Sequence, residues 1–591
     1  MEFLIKDIRG KGSEFDSPLY WDALKGMCKG KRGFVIGNGP SLKIEDLSKL
    51  SGEITIASNR IYLAYNKTDW RPTFYTVADR LLMEKTKDEI ARNISLIHAP
   101  ISSSNLFECS NIRYWLDLGG ITADPMKNPT ASDDIAYGAY AGHSITFFNL
   151  ELAFHLGLDP IYIIGCDHNY KGEKNVISDQ KIKEKSGKNH FIDGYRKVGE
   201  IVNPAAIDNM THAYEHIREF AKLKNITVQN ATRGGKLEVF NRTDFDNLEI
   251  NDNSISQPLV SICMPNFNGI QFIEETLKSL NNQKYQNVEI IIRDGHSDDG
   301  SWEIIQKFSQ ENERVFIEQI PRKGIYDALN QCINAAKGKY IYILMSDDLI
   351  EENTLKEMVH TLESNPDSDI CQCRLRVIDE KGDLHQTNVW QRREFPKFIK
   401  DFINKKHKRL APFDALSMFA LGTVYTSLTQ ILVRKSLYEK AGLFSTNFGQ
   451  YGDFEWQFRA SLYSSVIFLP QDLAIWRIHP QQASLQKTHY NARKKGIFSE
   501  IAKDQVQPLK KLFPSFYQTT LNTGLHTNYL DDTMRLQEDE RNFITKFIHE
   551  LKRIIFKNKS LGPRRIYEDP DLMTSIAKRM KLFDLIYIIK D

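Results

Sequence analysis

Residues 259–269 read LVSICMPNFNG, an apolar run that ends in a polar turn. The apolar part predicts a buried strand, and the segment IEETLKSLNNQ at 273–283 has the spacing of a helix. Three more apolar runs follow, VEIIIR at 288–293, VFIEQ at 315–319 and YIYILM at 340–345. Strands that alternate with helices in this way predict a parallel sheet with helices on its faces.

Polar side chains cluster at or just beyond the ends of these strands. The clusters are PNFNG at 265–269, RDGHSDDG at 293–300, KGIYDALN at 323–330 and SDD at 346–348. In open α/β sheets, ligands bind at the edge formed by the C-terminal ends of the strands. Asp294 can accept a hydrogen bond from a base or a ribose hydroxyl. A pair of aspartates after a strand can also be a solvated turn or a helix cap, but four clusters in this order favour a nucleoside diphosphate site.

A carboxylate at the fourth strand end can hold a divalent cation that bridges two phosphates, because Mg²⁺ and Mn²⁺ prefer oxygen ligands. Such a cation offsets the charge that develops on a departing diphosphate. With these motifs, residues 258–490 resemble a family-2 glycosyltransferase with the GT-A fold, and GIYDALN resembles the colanic-acid-type branch. The resemblance implies an inverting, metal-dependent transferase that uses a UDP- or GDP-sugar.

The resemblance also implies roles for individual residues. Asp348 would ligate the metal, and His479 in the loop WRIHP would contact the metal or a phosphate, although a histidine beside a proline can also be a surface residue. The other residues of the donor site would be Pro265, Asn268, Asp294, Asp299, Lys323, Asp327, Asp347 and Arg477.

The segment YGDFEW at 451–456 matches the acidic motif of the family. Its first acid, Asp453, would be the general base that deprotonates the acceptor hydroxyl. Glu455 is the alternative base, or a ligand for the acceptor. The family often has a pair of acids here, whereas Gly452 precedes Asp453 in this chain.

The first half of the chain also alternates apolar runs with helix-like segments, which predicts a second parallel sheet. The runs are Gly33–Ile36, Ile54–Ala57, Phe74–Val77, Ile161–Ile164 and Ile226–Val228. The first run leads into GNGPSL at 37–42, where glycines allow a phosphate or nucleotide to approach the backbone. The turn lacks the GxGxxG dinucleotide fingerprint and can equally be a tight turn.

This half resembles the family-42 sialyltransferases, and also the domain shared by flagellin-modifying motility accessory factors and archaeal pterin pyrophosphokinases. On the sialyltransferase resemblance, His190 or Asp193 in the run NHFID would be the base, or neither would be. Asp193 stands where those enzymes carry a histidine. An inactive, acceptor-holding domain and a pyrophosphokinase-like enzyme are the alternatives. The residues implied to contact a CMP-sugar are Gly37, Asn38, Gly39, Ser41, Asn59, Asp79 and Ser144.

The polar segment FDNLEINDNSISQP predicts a linker, so we expect a Rossmann-like domain at 1–245, a linker at 246–257, the transferase domain at 258–490 and a helical region at 491–591. Residues 542–559 form a basic amphipathic pattern, which fits peripheral contact with an anionic membrane or packing against the protein.

Composition narrows the possible functions of the chain. The net charge of +2 gives no reason to expect nucleic acid as a partner, and the seven scattered cysteines indicate reduced thiols. The N-terminus does not resemble a signal peptide, and no apolar run reaches the roughly 18 residues of a membrane span. We therefore expect a cytoplasmic, bifunctional glycosyltransferase that builds a bacterial capsule, lipopolysaccharide or glycoprotein. If only the second domain is catalytic, the first binds an acceptor or partner.

Overall fold

The computed structural model describes residues 18–170, 182–183, 189–250, 257–385, 394–399, 402–482, 508, 511–512 and 585–590, apart from single positions 108, 110, 122 and 422. The basic segment 542–559 lies outside these residues. The chain divides into two compact units. The first consists of residues 1–256 together with the short segments 364–367 and 589–591, and the second consists of residues 257–363 and 368–588.

An eight-stranded sheet in which all neighbouring strands are parallel forms the centre of the first unit. Its order is β12-β11-β8-β1-β2-β3-β4-β5. Strands β6 and β7, and β9 and β10, form two small separate sheets. The strands of this unit are β1 (Gly33–Ile36), β2 (Ile54–Ser58), β3 (Phe74–Thr76), β4 (Ile97–Pro100), β5 (Ile112–Trp115), β6 (Asp117–Gly120), β7 (Ala139–Ala141), β8 (Ile161–Ile164), β9 (Ile182–Lys183), β10 (Ile201–Val202), β11 (Val228–Asn230) and β12 (Asn241–Arg242).

The helices of the first unit are α1 (Pro18–Leu24), α2 (Ile44–Lys49), α3 (Arg80–Asn93), α4 (Ile145–Leu156) and α5 (Ile207–Leu223). Helix α4 is apolar on nearly every face because it packs against β1, β2 and α5. Ser144 caps its N-terminus, and Gly157 ends it with a φ of 77°, a left-handed conformation that suits glycine. Leu248 and Ile250 pack against the core of this unit, so its folded part reaches at least residue 250.

The second unit contains a ten-stranded mixed sheet. Its order is β15-β14-β13-β16-β20-β18-β21-β19-β22, with β17 paired to β21. Strands β13 to β16 form the parallel part, and β20 runs antiparallel to β16 and β18. The strands are β13 (Val260–Asn266), β14 (Val288–Asp294), β15 (Val315–Gln319), β16 (Tyr340–Ile343), β17 (Leu349–Ile350), β18 (Ser368–Ile378), β19 (His407–Arg409), β20 (Ile431–Arg434), β21 (Ser465–Arg477) and β22 (Ile586–Ile588).

The helices of the second unit are α6 (Ile273–Asn281), α7 (Ser301–Gln310), α8 (Ile325–Ala335), α9 (Thr354–Glu363), α10 (Glu394–Phe398), α11 (Phe413–Leu421), α12 (Lys435–Ala441) and α13 (Gly452–Ser461). Val260, Ile262 and Met264 of β13 pack with Ile290 and Ile292 of β14 in the main core. Strand β22 lies in the region predicted to be helical and pairs with β19, so that prediction is wrong for residues 586–588.

Both sheets reverse their strand order beside the first strand of the unit. In the first unit β1 lies between β2 and β8, and in the second β13 lies between β14 and β16. The loops that leave the two sides of such a switch point diverge and open a crevice. The predicted α/β fold with two sheet-containing units is therefore confirmed, although the sheet of the second unit is mixed. In both units predicted polar clusters follow the strands beside the switch point.

Candidate functional site

A hydrogen-bonded network joins the ends of β13 and β14 in the second unit. The side-chain amide of Asn266 donates to Asp294 Oδ2 at 2.8 Å and to the hydroxyl of Ser301 at 3.1 Å. Asp294 is fully buried and also accepts from the amide and hydroxyl of Ser297, at 2.9 and 2.6 Å, and from Gln319 at 3.2 Å. A ligand that contacts Asp294 directly must displace one of these donors.

The adjoining turns are held by Asn268 and Asp299. Asn268 has a φ of 51° and exchanges two hydrogen bonds with Asp298, at 2.9 and 3.1 Å. Asp299 accepts from the amide of Ile270 at 2.8 Å and from the hydroxyl of Ser301 at 2.6 Å. Burial would raise the pKa of Asp299, but these hydrogen bonds outweigh it and lower the pKa below its ordinary value. The predicted residue Pro265 is buried within β13.

Beside this network an exposed aromatic side chain lies under a guanidinium group. Phe267 is 39% exposed, and the guanidinium carbon of Arg322 lies 3.7 Å from the centre of its ring. Lys323 is exposed in the same loop, and Asp327 accepts a hydrogen bond from Gln331 at 2.7 Å. Neither Phe267 nor Arg322 was predicted as a site residue from the sequence, although Phe267 stands in the polar turn after the first strand.

The two aspartates after β16 have different surroundings. Asp347 is 25% exposed, and its Oδ2 lies 2.9 Å from Nε2 of His479. This hydrogen bond raises the pKa of His479, against the effect of its burial. The structure therefore brings together His479 and Asp347, a pair that the sequence could not identify.

Asp348 is 1% exposed, and protein donors occupy its carboxylate. It accepts from the hydroxyls of Thr429 and Ser427 at 2.6 and 3.1 Å, and from the backbone amide of Arg477 at 3.1 Å. Burial, together with the charge of Asp347, raises the pKa of Asp348 to about 8. The carboxylate of Asp348 is thus closed off from solvent, and Asp347 is the more accessible aspartate of the pair.

Arg477 lies under the same edge of the sheet and is itself 1% exposed. Its guanidinium donates to the carbonyl oxygen of Asp347 at 3.1 Å and to the carboxylate of Glu275 at 2.5 Å. It also lies 4.8 Å from the ring centre of Phe272. Arg477 thus fixes the loop that carries Asp347, and its guanidinium group is not a free cation that could bind a diphosphate.

The acidic motif forms the first turn of α13. Asp453 is half-buried, and its Oδ1 accepts from the amide of Phe454 at 2.7 Å. Burial raises the pKa of Asp453, while the amide of Phe454 and the side chain of Tyr326 lower it in part. Glu455 is buried and forms two hydrogen bonds with Arg459, at 2.6 and 2.8 Å. Asp453 is therefore the acid of this motif that remains available.

A divalent metal fits Asp347 and His479 by the chemistry of their donor atoms. Mn²⁺ accepts both carboxylate oxygen and imidazole nitrogen. Within the described ranges no three His, Cys, Asp or Glu side chains form a group that could hold a metal ion. Substrate phosphates and water would therefore supply the other ligands, as is usual where one or two protein groups hold such an ion.

The first unit has a cavity of about 480 Å³ at the carboxyl edge of its sheet. It lies at the switch point between β1 and β8 and is bordered by the N-terminus of α4. Of the residues predicted to bind a ligand, those that line it are Gly37, Asn38, Gly39, Asn59, Asp79, Ser144 and His190. Among the described residues, the side-chain oxygens of Asn38 and Asn59 are buried without a hydrogen-bond partner.

Two other predicted residues of the first unit, Ser41 and Asp193, do not line the cavity. The hydroxyl of Ser41 donates to Asp167 at 2.7 Å, and Asp193 is exposed outside the cavity lining. A Cβ at Gly37 would lie 2.6 Å from the sulfur of Cys166, and one at Gly39 would lie 2.0 Å from Asp167 Oδ2. Glycine is thus required at both positions because the loop after β8, which carries Cys166 and Asp167, leaves no room for a side chain.

Left-handed backbone conformations of non-glycine residues concentrate at the cavity of the first unit and at the strand ends of the second. Six non-glycine residues of the described chain have a positive φ, a conformation that is uncommon for residues with a side chain. Asn59, His143 and His168 line the cavity of the first unit, and Asn268 and His296 lie in the turns after β13 and β14. Such strain gathers at ligand sites more than elsewhere.

Comparison with known families assigns a domain to each unit. Residues 261–422 match the model for glycosyl transferase family 2, and residues 16–173 match the model described as 6-hydroxymethylpterin diphosphokinase MptE-like. Residues 261–422 of the second unit thus match glycosyl transferase family 2, and the predicted resemblance of this unit is confirmed. The resemblance of the first unit to the pterin pyrophosphokinase group is also confirmed, whereas its resemblance to sialyltransferases stays a prediction.

Individual relatives cover parts of the chain. It is 30% identical over 161 residues to an uncharacterized glycosyltransferase, MJ1057, of Methanocaldococcus jannaschii, which is 27% of this chain and 55% of that protein. It is 27% identical over 258 residues to the uncharacterized glycosyltransferase RT0329 of Rickettsia typhi, or 43% and 76% of the two chains. It is 37% identical over 110 residues to the hyaluronan synthase of Pasteurella multocida, or 18% and 11%.

Two solved structures are also similar. Residues 1–349 of S. aureus TarS in complex with UDP give a TM-score of 0.32 at 14% identity, covering 55% of this chain and 89% of that one. The mannosyltransferase PcManGT of Pyrobaculum calidifontis, in complex with GDP-Man and Mn²⁺, gives 0.32 at 15% identity, covering 56% and 86%. No helix among the described residues is long and apolar enough to cross a membrane.

Proposed function

We propose that the second unit transfers a sugar from a UDP- or GDP-sugar to a glycan acceptor, with inversion at the anomeric carbon. The observation that carries this proposal is the placement of Asp347 and His479 at the switch point of a family-2 domain, with Asp453 in a separate acidic turn. The match to a hyaluronan synthase supports a glycan as acceptor, and we extend this to a bacterial surface glycan built in the cytoplasm, at the inner face of the membrane where the acceptor is lipid-linked.

The donor would lie along the ends of β13, β14 and β16. Phe267 and Arg322 offer a flat, partly exposed face that suits a nucleobase, next to the Asn266–Asp294 network. Asp347 and His479 would hold a divalent metal, which when bound supplies positive charge to the diphosphate leaving group. In this proposal Asp347 takes the metal-binding role first expected of Asp348, because the carboxylate of Asp348 is closed off.

Asp453 would act as the base for the acceptor. Its carboxylate takes the proton of the acceptor hydroxyl while that oxygen bonds to the anomeric carbon and the bond to the diphosphate breaks. The raised pKa of Asp453 brings it closer to neutral pH, which suits a group that must accept a proton as the alcohol attacks. Glu455 would instead stabilise α13 through its ion pair with Arg459.

A second activity in the first unit is favoured by its cavity and by its family match. The unpartnered oxygens of Asn38 and Asn59 fit a ligand with N–H or O–H donors, and the N-terminus of α4 favours an anionic group. The match to a diphosphokinase-like family supports diphosphate transfer to a small substrate. The alternatives are a CMP-sugar transferase that makes the chain bifunctional, and a site that only binds an acceptor or partner.

Donor hydrolysis tests these proposals together. The intact chain is incubated with UDP-, GDP- and CMP-sugars, and with ATP, in Mn²⁺ or EDTA, and the released nucleotides are separated by chromatography. We expect UDP or GDP to be released only with Mn²⁺. Release of AMP or CMP alone would place any activity in the first unit and would contradict the proposal for the second.

A further inference from the structure

A buried tyrosine at the start of α8 reaches the first turn of α13. Tyr326 is 8% exposed, and its hydroxyl donates to the carbonyl oxygen of Gln450 at 3.0 Å. Its ring stacks on Phe444, with 5.7 Å between the ring centres. Asn330, one turn further along α8, exchanges two hydrogen bonds with the backbone of Phe444, at 2.8 and 3.0 Å. Helix α8 is thus fastened to the segment that leads into α13.

The space beside this tyrosine explains Gly452. A Cβ at position 452 would lie 2.7 Å from Cδ2 of Tyr326 and 2.6 Å from the carbonyl oxygen of Ser445. The φ of Gly452 is −63°, an ordinary helical value, so lack of space and not backbone conformation requires the glycine. The ring of Tyr326 occupies the volume that a side chain at position 452 would need.

We propose that Tyr326 is a positioning residue for Asp453, and that Gly452 leaves the space that the ring of Tyr326 needs. It holds the turn at Gln450 through its hydroxyl and limits where the carboxylate of Asp453 can lie. The inference rests on the proposed transferase function of the second unit. The proposed base, Asp453, lies on α13, and the inference adds a positioning residue from a different helix, α8.

The charges around Asp453 make the inference measurable. Tyr326 lies close enough to the carboxylate of Asp453 to lower its pKa, against burial, which raises it. The other charged groups of this turn, Glu455 and Arg459, are paired with each other, and Asp327 on α8 accepts from Gln331. Removing the hydroxyl of Tyr326 should therefore raise the pKa of Asp453 further, so that a larger fraction of the base is protonated at a given pH.

The test is the pH dependence of kcat for the intact wild-type chain and for Tyr326→Phe, at saturating donor and acceptor. We expect the acidic limb of the Tyr326→Phe profile to move to higher pH by about half a unit or more, because a polar group beside the carboxylate is lost. We also expect the plateau to fall by roughly 3- to 10-fold, while KM for the donor stays within about twofold. A residue that only stabilised the fold would leave the limb in place.

Tyr438→Phe is the matched control. Tyr438 is also buried and stacks on Trp456 of α13 at 4.7 Å, but its hydroxyl has no hydrogen-bond partner among the described residues. We expect its profile to match the wild type. An unshifted limb in Tyr326→Phe, or an equal shift in both variants, would overturn the inference but would leave the proposed function standing. A wild-type chain with no turnover on any donor would refute the proposed function, and the inference with it.

Gly452→Ala provides a second variant. Its methyl group meets a backbone carbonyl as well as the tyrosine ring, so the turn must move. We expect kcat to fall at least tenfold, with binding of UDP or GDP retained. Wild-type kcat in this variant would contradict the inference.

Discussion

Asp453 and Glu455 are two residues apart in the first turn of α13, yet they differ in their partners. Asp453 accepts one backbone amide hydrogen bond and is half-buried, whereas Glu455 is buried against Arg459. Asp453→Asn should lower kcat by about 10²- to 10⁴-fold, because an amide cannot accept the proton, with little change in donor affinity.

Glu455→Gln is the companion variant. It should retain most of the activity per folded molecule but lose roughly 2 kcal/mol of stability, because the hydrogen bonds to Arg459 lose their charge. Steady-state kinetics and chemical unfolding of both variants measure the difference. A large loss of kcat in Glu455→Gln with an active Asp453→Asn would assign the base to Glu455.

The sequence predicted that polar residues would gather at the strand ends, because alternation of strands and helices forces parallel strands to end at one edge. It could not rank Asp347 and Asp348, which both follow β16. Their burial depends on Ser427, Thr429 and Arg477, about 80 to 130 positions away in sequence. The reason for a glycine at position 452 is likewise its contact with Tyr326, a residue of another helix, and the local sequence does not show that contact.

At the scale of elements, strand β4 carries a histidine that must stay neutral. His98 Nδ1 lies 2.7 Å from the carbonyl oxygen of Tyr75, and Nε2 contacts the hydroxyl of Tyr20. Burial lowers the pKa of His98 to about 4, assisted by the charge of Arg113. In the unfolded chain the pKa returns to about 6.5. Between these values the unfolded state binds more protons, so stability falls as the pH falls.

We therefore expect the unfolding free energy of the first unit to decrease between about pH 6.5 and 4, with His98 contributing up to about 1.4 kcal/mol per pH unit. His155 adds to the slope, since burial also lowers its pKa to about 4. In His98→Gln the slope should be shallower, and in His212→Gln, whose side chain is 43% exposed, it should be unchanged. Thermal unfolding across this pH range measures it. An equal slope in His98→Gln would contradict the assignment.

Elements differ in how well the sequence predicts them. The short apolar runs of β1, β2, β8, β13 and β14 were visible because central parallel strands are buried on both faces. Strand β22 was not, because Ile586–Ile588 pair with β19 from a position about 180 residues away in sequence. Pairing at this separation leaves no local pattern.

At the scale of the whole molecule, each unit has its own sheet and core. We expect fragments 1–256 and 257–591 to fold separately, because each contains nearly all of one unit and Ile250 stays with its core. Only the short segments 364–367 and 589–591 of the second fragment group with the first unit. A fragment 257–490 should be less stable, because it lacks β22. Circular dichroism and thermal unfolding of the three fragments test this. Failure of fragment 1–256 or 257–591 to fold would contradict independent units.

Binding of UDP and GDP by the intact chain, followed by calorimetry with Mn²⁺ and with EDTA, tests the proposed function most directly. We expect one of the two to bind the wild type in a Mn²⁺-dependent way, and Asp347→Asn to weaken that binding by at least tenfold. Asp348→Asn should retain it, because an asparagine can still accept from the amide of Arg477. Binding of neither nucleotide with Mn²⁺, or equal Mn²⁺-dependent binding by Asp347→Asn and the wild type, would contradict a metal-dependent donor site at this edge of the sheet.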